Sequence, residues 1–410
     1  MRKQIGILLA LAVCLMLTAC TPGGSGQETQ GGNEDTQGFF DGNAPMPGYD
    51  ADNRYMHWEL NSFQETENYF FGTVLGGEYI HYYDMQTGIS GLLCPDPACT
   101  HDSNACPAKV EPNASVSYYD GKLYWVGKDP AGDGHDRYLW RSDITGTNRE
   151  KLKTISFQDT ILVYQPQQYY IHRGNLYFQG KAHSVDGVEV GTRLTLMTAP
   201  LEGNGGFTPL FDETFPEGAE ATVRFVGNRV YLAVQSFPAG GPVDLLTITC
   251  YDRTDGTSQV LCEQTGMEGI LGDMWVTEAG EIYMPVLVEN VGKVLKLEGG
   301  DWAEVLSLEG EYATILDEIV VFNERKGDTW WVHILTLNGE TMYEGALYPE
   351  AIPGMEEDPD TFGWAIVGGD REKLILNLNS LPQAGEMTNY VVMLDLTDNL
   401  KPTVLWSDKF

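Results

Sequence analysis

The chain has 410 residues, of which 59 are Asp or Glu and 25 are Lys or Arg, so its formal net charge at neutral pH is −34. This charge argues against nucleic acid and anionic lipid headgroups as partners, whereas cations, basic peptides or a polycationic wall component would be attracted. The alternative is that the charge only keeps a surface protein soluble. The chain is also longer than a usual single core, so internal repeats are the first feature to test.

Residues 1–19 have the pattern of an export signal. Arg2 and Lys3 give a short positive start, and residues Ile5 to Leu17 are almost wholly apolar, a run too short to span a bilayer as a mature helix. The run ends in Leu17-Thr18-Ala19-Cys20, which resembles a bacterial lipobox and thereby implies cleavage before Cys20 and lipidation of that cysteine. An ordinary secretory signal with an accidental cysteine is the alternative. We expect the protein to be lipid-anchored on the extracytoplasmic face of the cell membrane.

Residues 20–53 begin with the lipidated cysteine and continue as a predicted disordered tether. Gly, Gln, Asn, Asp, Thr and Pro dominate this segment, and large apolar residues are nearly absent from it. A segment of this composition buries too little apolar surface to order itself. We therefore expect residues 20–53 to hold a folded domain, residues 54–410, away from the membrane.

A repeat runs through residues 54–410. Four glycines, Gly121, Gly174, Gly227 and Gly280, lie 53 residues apart, and each is followed by an apolar run. Each copy has the pattern of short β-strands rich in Val, Ile, Leu, Tyr and Trp, joined by turns at residues that accept a positive φ. Seven copies are found, at residues 54–94, 115–153, 168–212, 221–263, 273–307, 311–346 and 362–407.

A four-stranded sheet repeated at this period is typical of a β-propeller, in which each blade buries its faces only against its neighbours. The sequence therefore predicts an all-β fold, a β-propeller of about seven four-stranded blades. Six or eight blades stay open, because closure of the ring could mix strands of the first copy with those of the last. A pair of β-sandwiches is the structural alternative, although sandwiches do not repeat whole hairpins.

Residues 94–106, here called the Cys/His loop, concentrate the side-chain chemistry of the chain. Cys94, Cys99, His101 and Cys106 have the ligand types of a zinc site with three cysteines and one histidine, in a loop stiffened by prolines. A disulfide with one spare cysteine is the alternative, because export exposes thiols to oxidation and the spacing departs from common zinc motifs. The odd number of thiols favours one structural zinc, since four protein ligands leave no thiol over and close the site to catalysis.

Two further cysteines flank a turn around Gly256. If the connecting loop has an odd length centred on that glycine, Cys250 and Cys262 lie directly opposite each other on paired strands, close enough to form a disulfide. A loop one residue longer or shorter would place the two cysteines diagonally across the strand pair. Two buried free thiols are therefore the alternative.

With the lipobox, the tyrosine-rich blades and the pattern Cys-Pro-Asp-Pro-x-Cys-x-His-Asp-x-x-x-Cys-Pro at residues 94–107, the chain resembles a group of bacterial propeller lipoproteins found in Gram-positive anaerobes. The resemblance spans nearly the full length, and the Cys/His loop is its specific part. The members of this group are mostly of unassigned function. The resemblance implies an extracytoplasmic propeller and supplies no substrate.

The sequence contains no nucleophile elbow, no His-Glu-x-x-His and no glycine-rich phosphate loop, and it identifies no catalytic residue. We favour a non-catalytic binding or scaffold module, expected to be a monomer, that presents a propeller face to an envelope protein, peptide or glycan. The alternative is an extracytoplasmic carbohydrate-active hydrolase or lyase that uses carboxylates at the propeller mouth.

Overall fold

The computed structural model consists of β-strands, turns and irregular segments. It describes residues 40, 42–55, 63–112, 114–129, 137–155, 168–182, 191–215, 218–237, 243–309, 312–326, 329–347, 352, 362–380 and 387–409. The predicted export signal, Cys20 and most of the predicted tether lie outside the described residues. Within the described ranges, no helix is long and apolar enough to cross a membrane.

Strands β1 to β29 form seven antiparallel sheets, called here blades 1 to 7. Blade 1 contains β1 (Phe63–Glu65), β2 (Tyr69–Gly72), β3 (His81–Asp84) and β4 (Ile89–Leu92). Blade 2 contains β5 (Val116–Tyr119), β6 (Lys122–Lys128), β7 (Arg137–Asp143) and β8 (Glu150–Ile155). Blade 3 contains β9 (Tyr169–His172), β10 (Asn175–Ala182), β11 (Thr192–Pro200) and β12 (Thr208–Phe215).

The remaining four blades follow the same order along the chain. Blade 4 contains β13 (Gly218–Val226), β14 (Arg229–Phe237), β15 (Leu245–Asp252) and β16 (Ser258–Thr265). Blade 5 contains β17 (Ile270–Leu271), β18 (Trp275–Val276), β19 (Ile282–Val288), β20 (Val291–Glu298) and β21 (Asp301–Glu309). Blade 6 contains β22 (Tyr312–Leu316), β23 (Ile319–Lys326), β24 (Thr329–Thr336) and β25 (Thr341–Leu347). Blade 7 contains β26 (Phe362–Gly369), β27 (Lys373–Ser380), β28 (Thr388–Asp395) and β29 (Lys401–Lys409).

The seven sheets form a ring, so the predicted β-propeller is confirmed and its blade number is seven. In blade 5 two short strands, β17 and β18, share the first position, and both pair with β19. Pro285 of β19 has no N–H to donate, which accounts for the break in pairing. Blades 1 and 7 each use four consecutive strands, so the described strands show no exchange where the ring closes.

Seven clusters of buried apolar side chains hold the ring together, one between each pair of neighbouring blades. The cluster between blades 7 and 1 closes the ring. In this cluster the rings of Phe63 and Trp406 are stacked with their centroids 5.7 Å apart. The amide of Asn389 in blade 7 also donates a hydrogen bond to the Leu75 carbonyl of blade 1 (2.6 Å). Closure therefore depends on side-chain packing.

The turns that join the first and second strands of the blades lie at one end of the ring, called here the turn face. These turns lie at residues 66–68, 120–121, 173–174, 227–228, 277–281, 317–318 and 370–372. The four glycines of the repeat have positive φ angles between 56° and 81°, as predicted for turn residues. Asp120, Arg173 and Asp317 occupy equivalent positions in three of the turns, and their φ angles are 46°, 45° and 49°.

Residues 42–55, here called the strap, lie across the turn face. The Asp120 N–H of blade 2 donates a hydrogen bond to the Gly48 carbonyl (2.7 Å), and Tyr55 forms a β-bridge with Gly368 of blade 7. The structure therefore differs from the prediction of a disordered tether for the strap residues up to 53. They gain order from contacts with distant blades, which their own composition does not reveal.

Two glycines allow the strap to approach the blades closely. A Cβ atom at Gly227 of blade 4 would lie 2.3 Å from the Cα atom of Asn43. A Cβ atom at Gly368 would likewise lie 2.3 Å from a ring carbon of Tyr55. Any larger residue at either position would have to displace the strap.

The prediction that Cys250 and Cys262 face each other is wrong. The turn that joins β15 to β16 spans four residues and is centred between Thr254 and Asp255. Cys250 therefore pairs with Gln259. A β-bulge then shifts the register by one residue, and Cys262 pairs with Ile248. Both thiols are free and pack in or against the cluster between blades 4 and 5, as in the alternative interpretation.

Candidate functional site

The Cys/His loop follows β4 and belongs to the connection between blades 1 and 2. Local backbone hydrogen bonds fold it: the Cys99 N–H donates to the Asp96 carbonyl (3.1 Å), and the Cys106 N–H donates to the Ser103 carbonyl (3.1 Å). His101 adopts a positive φ of 59°, which is uncommon for a residue other than glycine. These turns bring ligands that are up to twelve positions apart in sequence to one place.

The ligand atoms of Cys94, Cys99, His101 and Cys106 all lie within 4.8 Å of one another, as the sequence predicts. His101 Nδ1 and Cys106 Sγ are 3.3 Å apart. Two ligand atoms at about 2.3 Å from one tetrahedral zinc are about 3.8 Å apart, so the group would have to contract by up to about an ångström for common coordination. The three thiols are free, and the structure forms no disulfide among them.

Contacts outside the four ligands hold the loop in place. The Tyr79 hydroxyl donates a hydrogen bond to the His101 carbonyl, and Tyr79 also forms a β-bridge with Lys109 just beyond the loop. Cys106 is buried in the cluster between blades 1 and 2, and this burial raises the pKa of its thiol to about 11. Binding of a metal ion there would therefore release a proton.

Arg149 of blade 2 connects the segment after the loop to the second blade. Its guanidinium lies 5.0 Å from the ring centroid of Trp125 and 4.6 Å from that of Trp140. It donates hydrogen bonds to the carbonyls of Pro107 (3.3 Å) and Lys109 (2.9 Å), and burial lowers its pKa. The four-ligand cluster therefore lies where it can fasten blade 1 to blade 2.

Arg173 is the main anchor of the strap and is only 4 % exposed. Its guanidinium donates hydrogen bonds to the carbonyls of Gly42 and Ala44, each at 2.6 Å. It also forms an ion pair with Asp50 at 2.6 Å and donates to the side-chain oxygen of Asn228 at 2.9 Å. A single arginine therefore joins three points of the strap to blades 3 and 4.

His172 forms a second contact with the strap. The Ala51 N–H donates to His172 Nδ1 (3.0 Å), and His172 Nε2 lies 2.6 Å from the Gly227 carbonyl, to which it donates. This pattern requires a neutral imidazole with its proton on Nε2. Burial lowers the pKa of His172 to about 4, although the Asp50 carboxylate lies 3.8 Å from Nδ1.

The stability of the protein should depend on pH through His172. In the unfolded chain its pKa is about 6.5, so the unfolded state takes up a proton first as the pH falls. The contribution of the neutral imidazole is complete above pH ~6.5 and is lost on acidification toward pH ~4, by about 3 kcal/mol. Urea unfolding at several pH values, compared with a His172→Gln variant that does not titrate, measures this. If the free energy of unfolding of the variant falls between pH ~6.5 and pH ~4 as steeply as that of the wild type, the role of His172 is contradicted.

The strap leaves a cleft of about 830 Å³ on the turn face. The strap residues 43–54 form one wall, and the turns of blades 5 and 6 form the opposite wall, including Glu278, Asp317 and Glu318. Among the residues that the structure describes, seven acidic side chains and two arginines line the cleft. Its field therefore favours a cationic group.

The carboxyl groups of the cleft have different surroundings. A hydrogen bond from Lys296 lowers the pKa of Glu281. Burial raises the pKa of Asp317, and the neighbouring Glu318 carboxylate raises it further. Arg54 of the strap, which lines the cleft, pairs with Asp52 (2.7 Å) and Glu65 (3.2 Å), so part of the negative charge of the cleft is already neutralised.

No protein-family model and no curated protein matches the chain. Among solved structures it is similar to an acylaminoacyl peptidase from Pyrococcus horikoshii (13 % identity, TM-score 0.48, 85 % of this chain and 54 % of that one). It is also similar to prolyl oligopeptidase B from Galerina marginata (10 % identity, TM-score 0.47, 92 % of this chain and 53 % of that one). A protein from Lactobacillus plantarum is similar as well (12 % identity, TM-score 0.44, 86 % of this chain and 98 % of that one). The chain spans about half the length of the two peptidases.

Sequence reasoning found the four possible metal ligands but missed the strap and the residues that hold it. Arg173 had one visible signal, because it occupies the place before the repeat glycine at which a positive φ is needed, and arginine is an unusual residue there. Trp275 and Asp317 of the cleft carried no comparable signal. Both residues line the cleft because blades 5 and 6 pack side by side in the ring.

Proposed function

We propose that the protein is a non-catalytic binding or scaffold propeller on the extracytoplasmic face of the cell membrane, with an envelope protein, peptide or glycan as its ligand. The observation that carries this is the turn face, which holds a turn-rich segment, the strap, and leaves a cleft beside it. The same surface can therefore hold a second chain segment. Propellers commonly present such faces to ligands.

The Cys/His loop supports a structural zinc as part of this proposal. Three thiolates and one imidazole match the preference of zinc for sulfur and nitrogen ligands. Because the protein would supply all four ligands, the metal would keep no open position for substrate and would act by fastening blade 1 to blade 2.

The membrane location depends on Cys20. A Cys20→Ala variant should be released from the membrane or fail to mature, because a multiply acylated cysteine would be the anchor. Fractionation of cells that produce the wild-type or the variant protein measures this. Tight membrane association of a processed Cys20→Ala protein would contradict the lipid anchor.

The test of the binding function uses the immobilised full protein and extracts of the envelope of its own cell. We expect one component to be retained in a saturable manner, and a heat-denatured sample of the same protein is the control. Retention that does not saturate, or that is equal on the denatured sample, would contradict the binding function.

One observation favours the alternative of a carbohydrate-active hydrolase or lyase. Glu281 and Asp317 line the same cleft, and their pKa values are shifted in opposite directions, which is a pattern of acid and base partners. Turnover of a wall glycan that is lost in both Glu281→Gln and Asp317→Asn would establish this alternative. Absence of turnover with saturable binding favours the scaffold.

A further inference from the structure

The strap shows how N–H groups of the turn face bind backbone carbonyls of a segment that lies across it. In blade 2 the Asp120 N–H donates to the Gly48 carbonyl (2.7 Å), and in blade 3 the Arg173 N–H donates to the Tyr49 carbonyl (2.8 Å). The equivalent residue of blade 6 is Asp317, which has nearly the same φ and lines the cleft. Its N–H meets no acceptor among the described residues. Blade 6 therefore presents the donor that blades 2 and 3 use for the strap.

Trp275 supplies a second donor without a partner. This residue lines the cleft and is only 3 % exposed, yet its indole N–H has no hydrogen-bond acceptor within the described part of the chain. A buried polar group without a partner is uncommon and calls for an explanation. The guanidinium of Arg224 lies 5.7 Å from the indole ring centroid and adds positive charge that favours an acceptor near it. A carbonyl oxygen of a bound chain would satisfy this N–H once the side chains that cover it move aside, because the nitrogen itself has almost no exposed surface.

The charges of the cleft define the side chain of such a ligand. Glu318 forms an ion pair with Arg371 at 2.6 Å, and Glu281 pairs with Lys296 at 2.6 Å. Glu278 and Asp317 form no ion pair within the part of the chain that the structure describes. Two carboxyl groups and two N–H groups without acceptors belong to residues that line one cleft, which matches a chain with both a backbone carbonyl and a cationic side chain.

We propose that the cleft binds an extended lysine- or arginine-containing segment of a partner protein. Backbone carbonyls of the segment accept hydrogen bonds from the Asp317 N–H and the Trp275 indole N–H, and its cationic side chain pairs with Glu278 and Asp317. This assignment rests on the proposed binding function and names the ligand of that site. The segment lies beside the strap and continues the same mode of backbone recognition across blades 5 and 6.

The test is fluorescence anisotropy of the full protein with a labelled peptide of alternating lysine and glycine, and with matched glutamate–glycine and asparagine–glycine peptides. We expect saturable binding of the lysine peptide only. The double variant Glu278→Gln/Asp317→Asn should weaken it by about tenfold or more. Trp275→Phe, which keeps an aromatic ring but removes the N–H, should weaken it by about threefold to tenfold.

Matched controls separate the cleft from the general negative charge. Glu213→Gln/Glu263→Gln removes two exposed carboxylates outside the cleft, and Trp302→Phe removes another buried indole N–H without an acceptor. Equal weakening by the two double variants, or no binding of the lysine peptide, would overturn the assignment. Saturable retention of an envelope component by the same samples would then leave the binding function intact, whereas its absence would remove both.

Discussion

Replacement of Cys99 by serine should abolish metal binding and strongly destabilise the protein. Protein purified without chelator should contain about one zinc per chain, and the Cys99→Ser variant should contain almost none, because a serine hydroxyl is a poor zinc ligand. We expect the free energy of unfolding to fall by about 3 kcal/mol or more, since binding of a structural metal contributes directly to folding. Metal analysis and urea unfolding measure the two effects.

Cys250→Ser is the matched control, because Cys250 is another half-buried free thiol but lies far from the Cys/His loop. It should leave the zinc content unchanged and cost at most about 1 kcal/mol. Chelation of the wild-type protein should reproduce the effect of Cys99→Ser. A wild-type protein without zinc, with fewer than five reactive thiols from the folded domain after denaturation, would instead indicate a disulfide in the loop.

Replacement of Arg173 by alanine should release the strap and cost about 3–5 kcal/mol of stability. The change removes four anchoring partners at once and leaves the Asp50 carboxylate without its cation in a largely buried place. Arg173→Lys keeps the charge but loses the planar fork, so it should recover only part of the stability. Urea unfolding gives the cost, and new proteolytic cleavage within residues 42–55 shows that the strap itself is released.

Arg193→Ala is the control for the loss of an arginine–carboxylate pair. Arg193 binds Asp212 through two hydrogen bonds of 2.7–2.8 Å on the outside of blade 3, where both side chains are about one-third exposed. An exposed pair of this kind contributes at most about 1 kcal/mol. An Arg173→Ala protein that is as stable as Arg193→Ala, with a protected strap, would contradict the role of Arg173.

The sequence was most informative where its signals are local. A glycine such as Gly174 marks a turn because only a few residues tolerate a positive φ, and the spacing of such turns predicts the blades. The four ligands of the Cys/His loop lie within thirteen positions, so short turns alone can bring them together. The disulfide prediction failed because a four-residue turn and a β-bulge moved Cys262 out of register with Cys250.

The strap and the cleft could not be predicted because they depend on contacts between distant parts of the chain. The strap has the composition of a linker, and its order comes from Arg173, whose contacts lie more than 120 positions away in sequence. In the same way, Trp275 and Asp317 line one cleft only because blades 5 and 6 are neighbours in the ring. Composition describes a segment by itself, whereas its order is decided by the surface on which it packs.

A photo-cross-linking amino acid in the cleft, introduced in living cells, tests most directly whether the turn face binds a partner. Ala279 is the suitable position because it is exposed and lines the cleft but has no assigned contact with the ligand. Glu263 on the outer strand of blade 4 is the control position. The proposed function predicts a defined cross-linked partner from position 279 and none from position 263. No cross-link at position 279, or the same products from both positions, would contradict it.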